Sequence, residues 1–259
     1  MSITIRSITR ALTPWLVPVL LVGAWEIACR LHWLPPSQSA APSAIASHLL
    51  SPALLVNVIW TLIRLVAGVA IGALVGIVSG LFLAQKRVAD RLFSPTLRFL
   101  APIPIIVWFP FLIILFGLGD AMRIAFVATA AYFLVHVHCF NAVRSVNRDF
   151  LELGQIYEKR YWSRVWHVML PSSLASIFTS VRIAIAIGWV VVALAEFGLR
   201  EQGKEGIGWF IMQARGLGQV ENEFAGIVLL GLTGAIADGI VRTAEKHYLK
   251  WANTAEVGA

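Results

Sequence analysis

Charge is what this chain has least of. Asp, Glu, Lys and Arg together make up 14% of its 259 residues, against 58% hydrophobic residues and a mean hydropathy of +0.78. Soluble domains carry roughly 45–50% apolar and about 25% charged residues. The deficit therefore excludes a soluble core as the main architecture. Cysteine is equally scarce: Cys29 and Cys139 both lie in apolar runs, too few for a disulfide scaffold and silent on redox compartment. No Ser/His/Asp set and no pair of carboxylates suggests catalysis, and no ladder of acids crosses an apolar run as a proton-driven carrier would need.

Long apolar runs are what the sequence has in their place. Windows of about 19 residues, the length that crosses bilayer hydrocarbon, mark six spans at about 13–32, 58–84, 97–117, 122–142, 173–197 and 222–243. The expected fold is all-α, a single polytopic membrane domain over 1–259. Arg6 and Arg10 before the first run imitate a signal peptide. The nearest small-residue site, Ser39-Ala40-Ala41, lies well past its end, so an uncleaved first helix is expected. The connection after that helix, "LPPSQSAAPSAIASHLL", is rich in Pro, Ser and Ala and reads as irregular.

The net charge of +7 does not point to nucleic acid, because in a membrane chain cationic loops mark the cytoplasmic side. With the N-terminus inside, fourteen Lys and Arg fall on the cytoplasmic side and five outside, Arg64 and Arg182 being left out as residues of helix ends. Both termini are thus expected in the cytoplasm.

The second span carries Gly68, Gly72, Gly76 and Gly80, a small residue every fourth position, which lets another helix backbone approach closely. The third, "APIPIIVWFPFLIILFG", contains Pro102, Pro104 and Pro110, each without a backbone donor. Broken backbone in lipid needs cover from protein or a water-filled cavity, so this span is expected to face the bundle interior. Pro104, Trp108 and Pro110, with Gly188 and Trp189 of the fifth span, are the candidate pathway residues.

Three other signals carry less. In "HVHC" (His136, His138, Cys139) only His136 and Cys139 share a helix face, and no second His or Cys cluster accompanies them, so no metal site is assigned. "GLREQGKEG" (Gly198 to Gly206) nearly spells a phosphate loop, but Glu205 stands where Ser or Thr is needed and no strand precedes it. The acids Glu26, Glu196 and Asp238 fall toward span ends, where reaching the interface is cheap.

One stretch breaks the apolar pattern. "ELGQIYEKRYWSRVWHVMLP" (Glu152 to Pro171) interleaves Glu152, Glu158, Lys159, Arg160, Arg164 and His167 with aromatics. At helical spacing Phe150, Leu153, Tyr157 and Tyr161 form one face; Glu152, Gln155, Lys159 and Ser163 lie on the other. Such an amphipathic helix on the cytoplasmic side can lie in the membrane interface or dock into a groove of another protein.

This stretch resembles the cytoplasmic motif of bacterial ABC importer permeases, E-A-A-x-x-x-G, nine residues, then I-x-L-P. Counted back from Leu170-Pro171, the glutamate falls on Glu152, the small third residue on Gly154 and the isoleucine place on Val168. Leu153 replaces an alanine, and Glu158 stands where the family has a turn-forming glycine; a non-glycine residue in a left-handed conformation costs about 1–2 kcal/mol. "GAWEIA", "LFGLGDAMR", "LPSSLASIFTSVRIAIAIGWVVVALAEF", "GIGWFI" and "ADGIVRTAEKHYLKW" extend the resemblance over nearly the whole chain, toward the nitrate, sulfonate, taurine and bicarbonate branch.

The resemblance implies a homodimer in the bacterial inner membrane, two cytoplasmic ATPase subunits beneath it and a periplasmic binding protein above. No cofactor is expected in this chain, ATP and Mg being held by the partner ATPase. A coupling segment at about 149–171 would seat in the ATPase, with Glu152, Gly154, Tyr157, Glu158, Trp162 and Pro171 as its contacts. The branch mostly carries small oxyanions, and some similar permeases serve heterocyclic vitamin precursors. A stand-alone membrane scaffold or intramembrane enzyme would explain the spans but not a charged helix at the motif's spacing. A secondary transporter would show an inverted repeat and buried coupling acids.

Overall fold

The computed structural model describes residues 2–145, 169–198 and 203–248. Among them every regular element is helical: α1 (Ser2–Arg30), α2 (Pro42–His48), α3 (Pro52–Gln85), α4 (Arg87–Leu100), a 3-10 turn (Ile105–Val107), α5 (Trp108–Phe116), α6 (Asp120–Arg144), α7 (Leu170–Glu196), α8 (Ile207–Gly216) and α9 (Val220–Tyr248). Four stretches, Pro52–Gln85, Asp120–Arg144, Ser173–Glu196 and Val220–Glu245, are long and apolar enough to cross a membrane, and α4 to α5 make a fifth if the bent pair is one span. The first expected span, about 13–32, falls on α1 except for its last two residues, and its apolar stretch contains Pro14 and Pro18.

The bundle is built on α3, α6 and α7. Leu65 and Val69, Phe126 and Val127, and Val191 and Val192 interlock in one buried cluster, while Val66, Leu74, Val78 and Val190 face outward. Apolar side chains on both faces suit a helix with protein on one side and lipid on the other. Along α3 the glycines meet α6. A Cβ at Gly68 would lie 2.6 Å from Val127 Cβ, one at Gly76 3.0 Å from the His136 nitrogen and one at Gly80 2.9 Å from Cys139 Cβ. At Gly72 it would overlap the Ala128 carbonyl oxygen. The two backbones are in contact over three helical turns because no side chain stands between them.

The third span, expected at about 97–117 with its backbone broken by proline, is broken in the structure and begins earlier. α4 starts as early as Arg87, ends at Leu100, and is bent by 94° from the segment Ile105–Phe116. Pro102 and Pro104 lie in the break, where neither can donate to the preceding turn. Pro110 does not break anything: it stands in the first turn of α5, where its missing donor is not needed. Gly117, with φ 72°, closes α5 in a left-handed conformation and turns the chain into α6.

The amphipathic stretch falls largely outside the described residues, and with it Glu152, Gly154, Tyr157, Glu158 and Trp162. Pro171 is described: it stands at the N-terminus of α7, at a position where proline fits a helix.

Candidate functional site

The strongest departure from expectation is Glu196. Rather than reaching toward the interface, its carboxylate is fully buried at the C-terminal end of α7. Arg64 of α3, equally buried, donates from Nη1 to Glu196 Oε1 at 2.7 Å and from Nε to Asp120 Oδ1 at 2.7 Å. Its Nη2 donates to the backbone carbonyl of Lys204. Thr61, one turn before Arg64, meets both Glu196 oxygens at 2.9 and 3.0 Å and accepts from the Ile207 N–H at 2.8 Å. Gly208 N–H donates to Glu196 Oε2 at 3.0 Å.

One carboxylate thus ties α3, α7 and the N-terminus of α8, and through Arg64 also α6. An uncompensated charge at such depth is very costly, so the pairing is what permits Glu196 to be there. The junction also dictates glycine at 206: a Cβ there would overlap the Glu196 carboxylate. Sequence reasoning set Arg64 aside as a helix-end residue. The signal was present, since Arg64, Asp120 and Glu196 sit toward the same end of the second, fourth and fifth apolar spans.

The pathway candidates separate. Trp108, at the start of α5, lines an apolar cavity of about 500 Å³ together with Gly72, Phe111, Thr129, Tyr132 and Phe133 of α3, α5 and α6. Its ring packs against Phe111 and Phe133 at centroid distances of 6.1 and 5.7 Å. Pro104 and Pro110 frame that segment, one before the 3-10 turn and one in α5. Gly188 and Trp189 belong to helix packing. A Cβ at Gly188 would lie 2.7 Å from Leu65 Cδ1, and Trp189 is buried over Gly234 of α9. Both Trp108 and Trp189 keep a buried indole N–H without an acceptor among the described residues.

The other polar groups pair locally. Glu26 accepts from Arg30 at 2.6 Å and from the Ser43 hydroxyl at 2.7 Å, fastening α1 to α2. Arg182 grips Asp238 with Nε and Nη2 at 2.7 and 3.1 Å, joining α7 to α9. In "HVHC", His136 Nδ1 lies 2.8 Å from Ser79 Oγ and His138 Nδ1 2.8 Å from the Leu134 carbonyl, while Cys139 Sγ points to the Ile77 carbonyl.

A lipid-facing helical bundle whose proline-broken span borders a cavity, with interior donors left open, is the construction of a membrane transport subunit. The chain belongs to the family of binding-protein-dependent transport system inner membrane components, whose family model matches residues 72–249. The relatives agree. The putative aliphatic sulfonates transport permease protein SsuC of Bacillus subtilis is 26% identical over 245 residues, 93% of this chain and 88% of that protein. Its Escherichia coli namesake is 27% identical over 92% of this chain and 91% of its own length. The bicarbonate transport system permease protein CmpB of Synechococcus elongatus is 26% identical over 74% of this chain and 68% of itself. In fold, the chain is similar to the MetNI methionine ABC transporter in an inward-facing conformation, with a TM-score of 0.64 and 19% identity over 77% of this chain and 96% of that one. It is a permease subunit of an ABC importer, a transport component rather than an enzyme, and ATP hydrolysis belongs to a separate subunit.

Proposed function

We propose that this permease carries a small oxyanion of the sulfonate or bicarbonate type across the bacterial inner membrane, as half of a homodimer. The observation that carries this reading is coverage: a sulfonate permease relative aligns over 93% of the chain and 88% of its own length. Two cytoplasmic ATPase subunits dock below and a periplasmic binding protein delivers from above. Both termini are cytoplasmic, in keeping with the excess of Lys and Arg on that side. The coupling helix is the segment at about 149–171, held by Glu152, Gly154, Tyr157, Glu158 and Trp162 and joined to α7 through Pro171.

The solute passes the α5 side of the bundle, where Pro104 lies in the bend, Pro110 in the first turn of α5, and Trp108 offers a free indole donor. Gly188 and Trp189 act one layer behind, setting how closely α7 approaches α3 and α9. Transport follows when ATP binds the inward- and outward-open arrangements with different affinity.

Purification of the tagged chain from its native host in mild detergent, with mass spectrometry of what accompanies it, tests the assembly. A stoichiometric P-loop ATPase is the expected companion. A chain free of ATPase, where a control ABC complex survives, sinks the reading. Screening the binding protein encoded beside it against sulfonates, bicarbonate and heterocyclic vitamin precursors then fixes the solute.

A further inference from the structure

A second cavity, of about 240 Å³, opens between α4 and α6 at the basic end of the bundle. Its lining combines Arg98, His136, Asn141 and Ser94 with Phe133 and Phe140, which makes it more polar than the α5 cavity. Arg98 stands in the last turn of α4 and makes no hydrogen bond or salt bridge with any described residue. The Asn141 side chain is likewise unpaired among the described residues.

His136 is 5% exposed and sits five residues deeper than Asn141 on α6, about 7–8 Å along the axis. Its Nδ1 is 2.8 Å from Ser79 Oγ, closer than the 3.2 Å from that hydroxyl to the Gly76 carbonyl. Nδ1 is therefore taken up by Ser79, and Nε2 is the ring nitrogen left to meet a ligand.

The acid nearest this cavity is already matched. Asp90 accepts from the Ser94 hydroxyl and, at 2.8 Å, from Arg144 Nη2. Arg144 in turn lies 4.8 Å over the Phe140 ring. Asp90 thus answers two guanidinium groups, Arg144 in contact and Arg98 only at longer range, so the donor nitrogens of Arg98 remain available to a second oxyanion. Placed at the mouth of a cleft with amide and imidazole donors inside, the Arg98 guanidinium suits a planar or tetrahedral oxyanion.

We propose that the cleft between α4 and α6 binds the singly charged oxyanion of a sulfonate or phosphodiester, with Arg98 as counter-ion and Asn141 and His136 as donors. Two sources share that chemistry: the transported solute on its way out, which rests on the oxyanion-importer reading, and the head group of an anionic lipid.

The full complex in nanodiscs distinguishes them. Ethanesulfonate titrated by calorimetry into phosphatidylcholine discs reports the free anion. Native mass spectrometry of complex extracted from discs containing phosphatidylglycerol reports the lipid. The Arg98→Gln variant is expected to weaken one of the two by about tenfold, the scale of one lost charge-assisted hydrogen bond, and Arg98→Lys to recover part of it. Loss of ethanesulfonate binding alone assigns the solute, loss of lipid retention alone assigns the head group, and loss of both assigns one shared site. Should Arg98→Gln fail to yield folded complex, His136→Gln takes its place on the same two readouts. Binding of both probes unchanged by the substitution overturns the site. ATPase content of the same sample is scored separately: Arg98-dependent binding without an ATPase would sink the importer reading and leave the site standing.

Discussion

Arg64 and Glu196 show how much a single buried charge can organise in an apolar bundle. Arg64 spends its three donor nitrogens on a carboxylate, a second carboxylate and a backbone carbonyl from three different parts of the chain. Removing Glu196 leaves the buried Arg64 guanidinium with Asp120 as its remaining carboxylate, and losing one partner of a buried pair costs about 3–5 kcal/mol. Glu196→Gln is therefore expected to lower the thermal unfolding midpoint of the detergent-purified chain strongly. Asp120→Asn should cost much less, because its side chain is 26% exposed and water can answer for it. The double variant Arg64→Leu/Glu196→Leu should be less damaging than Glu196→Gln alone, since it removes both charges and leaves neither uncompensated. If the double variant is the worse of the two, neutralising charge is not what the junction is for. Gly206→Ala tests the same place sterically: a methyl group has nowhere to go but into the carboxylate, and overpacking of that kind costs about 1–3 kcal/mol.

At the scale of elements, the glycine stripe was legible in the sequence because small residues every fourth position have one dominant use in a membrane helix. What could not be read was the partner: nothing in α3 itself names α6. The bend of the third span was half legible. Three prolines announced broken backbone, but only the structure separates Pro102 and Pro104, in the break, from Pro110, in the first turn of a helix. Glu196 was misplaced for a physical reason, since distance from a span's end says nothing about which neighbours cover it. The stripe predicts a graded response. Gly72→Ala must move the Ala128 carbonyl and should lower stability most. Gly76→Ala meets atoms at 3.0–3.1 Å and should cost less, while Gly23→Ala on α1, with nothing within 4 Å, should be neutral. Unfolding midpoints of the three variants in one detergent give the order, and equal midpoints would mean that α3 and α6 do not pack in this register.

On the scale of the whole molecule, α7 packs against α3, α6, α8 and α9. It starts at Leu170-Pro171, where the motif stretch ends. About three turns on, Arg182 clasps Asp238 of α9, and at the far end Glu196 clasps α3 and, through Arg64, α6. A displacement applied to the first turn of α7 is carried along one continuous helix to the Arg182–Asp238 pair midway and to the buried Glu196 junction at its far end. This gives the proposed coupling segment its leverage and makes Glu152 the residue to test. Glu152→Arg reverses the charge of the proposed contact, and reversing one charge at a docking surface costs about 2 kcal/mol or more when the pair is close. The expected outcome is at least a tenfold loss of ATPase co-purification and of solute uptake, with the amount of membrane-inserted chain unchanged, since residue 152 lies outside the apolar spans of the sequence. Uptake at the normal rate from normally inserted chain would remove Glu152 from the coupling contact and return the amphipathic stretch to the membrane surface.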